Sequence, residues 1–176
     1  MEEIPEYLEK NLHIVFVGFN PSIMSSEKGH HYANPTNRFW KVLFEAGLTP
    51  RKFTPEDDEK LLELGYGLTN IVDRPTKGAN DITKEEFLNG SKKLKKKINY
   101  YKPKIVCYVG KGVYQQYSGI KNCNWGKQDK SVIDGIIDFV APSTSGLVRM
   151  PISEIVTIYK QLKMLLNESD NLVKLI

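Results

Sequence analysis

His13-Ile14-Val15-Phe16-Val17, closed by Gly18, is a β-branched and aromatic run with no polar alternation, the pattern of a strand buried on both faces of a parallel sheet. Lys104-Ile105-Val106-Cys107-Tyr108-Val109, closed by Gly110, repeats it. Helical segments surround these runs. Asn37 to Gly47 carries a wide apolar face of Phe39, Trp40, Val42, Leu43 and Phe44. Pro55 to Leu64 has acids in its first turn, where they favour the helix dipole. Thr83 and Glu86 form a capping box that opens a third helix, ended before Pro103. A short helix follows Gly112, and a long one starts near Pro151 with Ile155, Tyr159, Leu162 and Leu166 on one stripe. Val132 to Ile137 contains Asp134-Gly135 and is expected to form a two-residue hairpin. The alternation predicts an α/β fold, a three-layer sandwich with a central, mostly parallel sheet flanked by helices. No repeat or linker divides residues 1–176, so one domain is expected.

Composition sets the bounds. A chain of 176 residues with 40% apolar and 26% charged residues can bury roughly 70% of its unfolded surface in one domain. Its apolar runs are too short for a membrane span. The start, MEEIPEYLEKN, is acidic and holds a proline, unlike a secretory signal, so a cytoplasmic protein is expected. Cys107 and Cys123 are too few for a disulfide framework and lack metal-ligand spacing. The net charge of +4 permits contact with nucleic acid without requiring it.

Loops at the carboxyl ends of such strands carry function. The one after the first run reads Gly18-Phe19-Asn20-Pro21-Ser22-Ile23-Met24-Ser25-Ser26, followed by Gly29-His30-His31-Tyr32-Ala33-Asn34-Pro35-Thr36-Asn37-Arg38-Phe39-Trp40. A helix cap and a turn account for Asn37 and Pro21 but leave the paired histidines and Tyr32 without a role. Gly65-Tyr66-Gly67-Leu68-Thr69-Asn70 with Arg74-Pro75-Thr76 is a second polar stretch, and Ala141-Pro142-Ser143-Thr144-Ser145-Gly146-Leu147-Val148-Arg149 a third. In order, these stretches resemble the motifs of the mismatch-specific uracil/thymine-DNA glycosylase family, within the uracil-DNA glycosylase superfamily. The resemblance runs from about Leu12 to Leu166.

The resemblance implies a monomeric, monofunctional enzyme that needs no cofactor or metal and acts on double-stranded DNA containing a mismatched or deaminated base. No membrane and no obligate protein partner are expected, and on DNA the protein would be nucleoid-associated. Asn20 is the catalytic residue by analogy: a carboxamide takes no proton at neutral pH, so its oxygen orients the attacking water. A base buried in a duplex must be flipped and gripped. Tyr32 supplies a stacking face and Asn70 a donor and an acceptor for a pyrimidine edge. Gly18, Phe19, Ser22, Ser25, His31 and Thr76 complete the expected substrate pocket, with backbone N–H groups and Ser22 placed to stabilise the departing base. Ser143, Ser145, Gly146, Leu147, Val148 and Arg149 are the expected DNA contacts, Leu147 filling the gap a flipped base leaves and Arg149 reaching phosphate or the orphaned base.

Three positions depart from the family pattern. Ser22 stands where the family has glycine, Ser25 where thymine-processing members have alanine, and Ala141 where more active branches have histidine. Uracil is therefore expected to be preferred over thymine, with slow turnover. Asp73 is expected to pair with Arg74 as a structural ion pair rather than serve as a base. Lys92, Lys93, Lys95, Lys96 and Lys97 fit a solvated helix face. His30 and His31 can pair with phosphate or shape the pocket. Two other readings stand beside the enzyme: a non-catalytic binder of damaged or flipped bases, and an enzyme acting on free nucleosides or nucleotides.

Overall fold

The computed structural model describes residues 3–174, with side chains through residue 168. Five strands, β1 (Ile14–Gly18), β2 (Tyr66–Asn70), β3 (Ile105–Val109), β4 (Gly126–Lys127) and β5 (Ile137–Ala141), form one sheet in the order β2-β1-β3-β5-β4. β1 pairs in parallel with β2 and β3, and β3 with β5, whereas β4 is antiparallel on the edge. Side chains alternate across the pleat. Ile14, Phe16, Ile105 and Cys107 face a core shared with α2 (Phe39–Glu45) and α5 (Ile152–Lys174). Val15, Val17, Val106 and Tyr108 face a second core, against α3 (Lys84–Tyr101) and α4 (Lys111–Ser118). Both faces are covered, which is why the strands are continuously apolar. The result is the expected three-layer α/β sandwich.

Four local expectations need correction. Asp134-Gly135 does turn, but Val132 and Ile133 form no strand, because the Val132 amide donates to the buried Asp138 carboxylate at 2.9 Å. β5 pairs instead with β4. Pro55–Leu64 winds as a 3₁₀ helix. Its aspartates bond nearby backbone, Asp57 to the Thr54 amide and Asp58 to the Glu59 amide, and such bonds compete with the α-helical ladder. A short helix, α1 (Ile23–Lys28), occupies the stretch after Pro21, with Ser22 as its N-cap. Arg74 pairs with Glu86, not with Asp73. The Thr83 and Glu86 capping box is present as expected.

Candidate active site

Because β1, β2, β3 and β5 run parallel, their carboxyl ends share one edge of the sheet. There the loops after them enclose a cavity of about 480 Å³, within the range typical of small-molecule sites. The chain connects β1 to β2 on one side and pairs it with β3 on the other, so the cavity lies beside a topological switch point. Of the residues expected in the pocket, Gly18, Phe19, Asn20, Ser22, Ser25, His31, Tyr32, Asn70 and Thr76 all line it, joined by Ser143, Ser145, Gly146 and Leu147.

Asn20 is fixed through its amide nitrogen. Nδ2 donates to the Arg74 carbonyl and to Thr76 Oγ1, each at 2.8 Å. A carbonyl can only accept, and Thr76 Oγ1 uses its own proton on the Gly78 carbonyl, so nitrogen must occupy that side of the amide. Oδ1 has no partner among the described residues, and it is the atom left to the cavity. The Arg74 carbonyl is itself held in place. Arg74 donates to both Glu86 oxygens, at 2.6 and 3.0 Å, and to the Asp81 carbonyl, while Glu86 accepts from the Thr83 amide. The Arg74 guanidinium holds the Glu86 carboxyl down to a pKa of about 2. On the exposed surface such a pair adds little stability, but its bidentate geometry sets where the Arg74 backbone lies.

Tyr32 has φ 52°, a left-handed backbone that a bulky residue adopts only at a cost of about 1–3 kcal/mol. Its neighbours enforce it. The His31 amide donates to buried Asp58 at 2.9 Å, the Ala33 amide donates to Ser25 Oγ at 3.0 Å, and the Tyr32 ring stacks on Phe39 at 3.8 Å between centroids. Strain held in this way marks a position where orientation matters. Gly18 permits the close approach of Asn70 and Tyr32, since a Cβ there would sit 2.7 Å from Asn70 Oδ1 and 3.1 Å from the Tyr32 hydroxyl.

Several of these lining residues also hold their neighbours in place. The Ser22 hydroxyl accepts from the Ser25 amide and donates to Ser25 Oγ, so it caps α1 from the cavity wall. Thr76 holds Asn20. The Phe19 ring packs edge-on against Phe87. His31 is buried, with Nε2 donating to the Pro5 carbonyl at 2.7 Å, and His30 faces Asp58. His31 is thereby committed within the fold, whereas His30 stays half-buried with its Nδ1 on Asp58. Lys77, a residue with no motif signal, also lines the cavity.

Burial pushes the His31 imidazole below its ordinary pKa of 6.5, against the opposing pull of the Pro5 carbonyl, Asp58 and Glu6. The unfolded chain therefore binds this proton first as pH falls. Stability from neutral His31 is present above about pH 6.5 and is lost below it. Urea unfolding should show lower stability at pH 5.5 than at pH 7.5, with a smaller difference in His31→Gln. An unchanged difference in the variant would refute this.

The loop after β5 stands at the cavity mouth. Leu147 is 93% exposed at its tip, so it is not tucked into the core. Val148 and Arg149 lie outside the cavity wall. Lys92, Lys93, Lys95 and Lys96 are exposed on α3.

Comparison with known proteins gives two findings. The family model of the uracil DNA glycosylase superfamily matches residues 5–163. The solution NMR structure of a candidate uracil DNA glycosylase from Methanosarcina acetivorans is similar, with 24% identity and a TM-score of 0.59 over 92% of this chain and 98% of that one. At that identity the likeness concerns the fold.

Proposed function

The chain belongs to the uracil DNA glycosylase superfamily, and on that premise we propose that it is a monofunctional, mismatch-specific enzyme that hydrolyses the N-glycosidic bond of uracil, chiefly from G·U pairs. One observation carries the reading: Asn20 lines the cavity and is clamped by its nitrogen, which leaves its oxygen free for a water. That oxygen accepts a hydrogen bond from a water and aims the water's lone pair at C1′. The bond from C1′ to the base breaks as the new C–O bond forms, the electron pair leaves with the base, and the proton from water ends on the released base. No side chain need change its charge. Positioning of this kind supplies much of a barrier reduction without acid-base chemistry.

The flipped base lies against Tyr32, whose other support is Phe39, with its edge read by Asn70. Leu147 occupies the vacated space in the duplex, flanked by Ser143, Ser145, Gly146 and Val148, and Arg149 meets phosphate or the orphaned guanine. The whole chain acts as one glycosylase domain. Thymine is disfavoured by Ser25, whose hydroxyl is tied to the Ala33 amide and to Ser22 and so cannot rotate away from a 5-methyl group.

The test is single-turnover base release from duplexes containing G·U, G·T and A·U. G·U should be fastest and G·T about 10- to 200-fold slower, the range that one methyl group commands in a pocket. The product strand should stay intact until treated with alkali; direct cleavage would instead implicate the Lys77 amine. Tight, lesion-dependent binding with no release would replace the enzyme with a binder of damaged bases.

A further inference from the structure

We propose that Arg38 is a positioning residue for base opening: its guanidinium holds the 145–150 segment in the shape that keeps Leu147 raised. The inference rests on the glycosylase reading above. Arg38 Nη2 donates to the Ser145 and Val148 carbonyls at 3.0 and 3.1 Å, and Nη1 to the Met150 carbonyl at 3.2 Å. These acceptors bracket Leu147 on both sides. The Arg38 amide adds a bond to the Thr144 carbonyl at 2.9 Å, and Asn37 Oδ1 accepts from the Thr144 hydroxyl at 2.8 Å. Within the loop the Leu147 and Val148 amides bond only Ser145, and the Leu147 side chain at its tip is 93% exposed, so the turn needs an outside anchor to keep its place. A planar, rigid donor fork that bridges three carbonyls supplies that anchor.

Arg38 is rigid in turn because the next two residues are buried. Phe39 and Trp40 are 0% and 4% exposed, and Trp40 Nε1 donates to the His31 carbonyl. Phe39 is also the ring on which Tyr32 stacks. One short segment thus fixes both the surface proposed to receive the base and the loop proposed to displace it, so opening and capture share a single support.

The test uses a duplex with 2-aminopurine beside the target uracil, bound to the Asn20→Ala protein so that excision is slow against the measurement. A fluorescence rise on binding reports unstacking. Adding Arg38→Ala should weaken that opening about tenfold, the size expected from losing a few hydrogen bonds, with Arg38→Lys in between because a single ammonium cannot bridge three carbonyls. Binding to the matching single strand, which needs no opening, should change far less. Gly146→Ala displaces the loop by another route, since its Cβ would fall 2.8 Å from the Thr36 carbonyl oxygen; it should lower opening likewise, and it carries the test if Arg38→Ala fails to fold.

Full opening in both variants, equal losses on single and double strands, or no opening in the parent would each overturn the inference. Uracil release by the wild type is scored separately. Release with opening that ignores Arg38 sinks the inference alone. Opening that needs Arg38 without any release sinks the glycosylase reading and leaves the inference standing for a base-flipping binder.

Discussion

Asn20→Ala should lower single-turnover uracil release from G·U duplexes by about 10³-fold, the scale on which misplaced or missing polar groups act in water-excluding sites. The side chain is half-buried in a loop, and the Arg74 residue whose carbonyl it leaves unpaired is exposed to solvent. The fold should therefore survive, and lesion binding with it. Thr76→Val removes one of the two holds on the amide and keeps the other. It should cost about tenfold, the effect of one hydrogen bond lost from a polar network, because Asn20 is then free to tilt its oxygen away from the water. The order wild type, Thr76→Val, Asn20→Ala is the signature of positioning. Release in Asn20→Ala within threefold of wild type would remove Asn20 from the chemistry.

The parts of the fold legible in sequence were those with a single dominant signal. β1 and β3 are short, continuously apolar runs rich in β-branched residues and ended by glycine, the composition of a strand covered on both faces. The capping box of α3 was legible for the same reason, as it needs only two residues three apart. β2 carries a motif but no clear strand signal, because Gly67 and Thr69 interrupt its apolar character. The false hairpin arose from a correct turn whose first arm was captured by Asp138, a partner that no local pattern announces.

The site divides along the same line. Its residues were legible as an unusual density of polar, aromatic and glycine side chains, but their division of labour was not. Ser22 and Thr76 proved to hold other parts of the loop, and His31 to bond the Pro5 carbonyl. Arg38 was invisible as an anchor, since its acceptors are backbone carbonyls more than a hundred residues away, and a carbonyl carries no sequence signature. Glu86 was read as a cap, yet it also sets the Arg74 backbone that orients Asn20. Long-range bonds to backbone are the class of interaction that composition and spacing leave out.

Gly18→Ala should lower release by about 10²-fold, the effect of a misplacement on the order of 1 Å, with a much smaller effect on stability. Gly18 stands in register with Asn70 across β1 and β2, and the added methyl would lie 2.7 Å from Asn70 Oδ1 and 3.1 Å from the Tyr32 hydroxyl. Tyr32 cannot yield, because its ring is stacked on buried Phe39 and its backbone is pinned on both sides. Asn70 is the flexible member, so it must swing aside, and the fold absorbs the change through that side chain alone. The loss should then be confined to ligands that place a base in the cavity. Inhibition by free uracil should weaken together with the rate, while affinity for a duplex carrying an abasic site, which leaves the cavity empty, should hold. Equal weakening of both would mean that the methyl disturbs the DNA-binding surface as a whole, and Asn70 would lose its proposed role in reading the base.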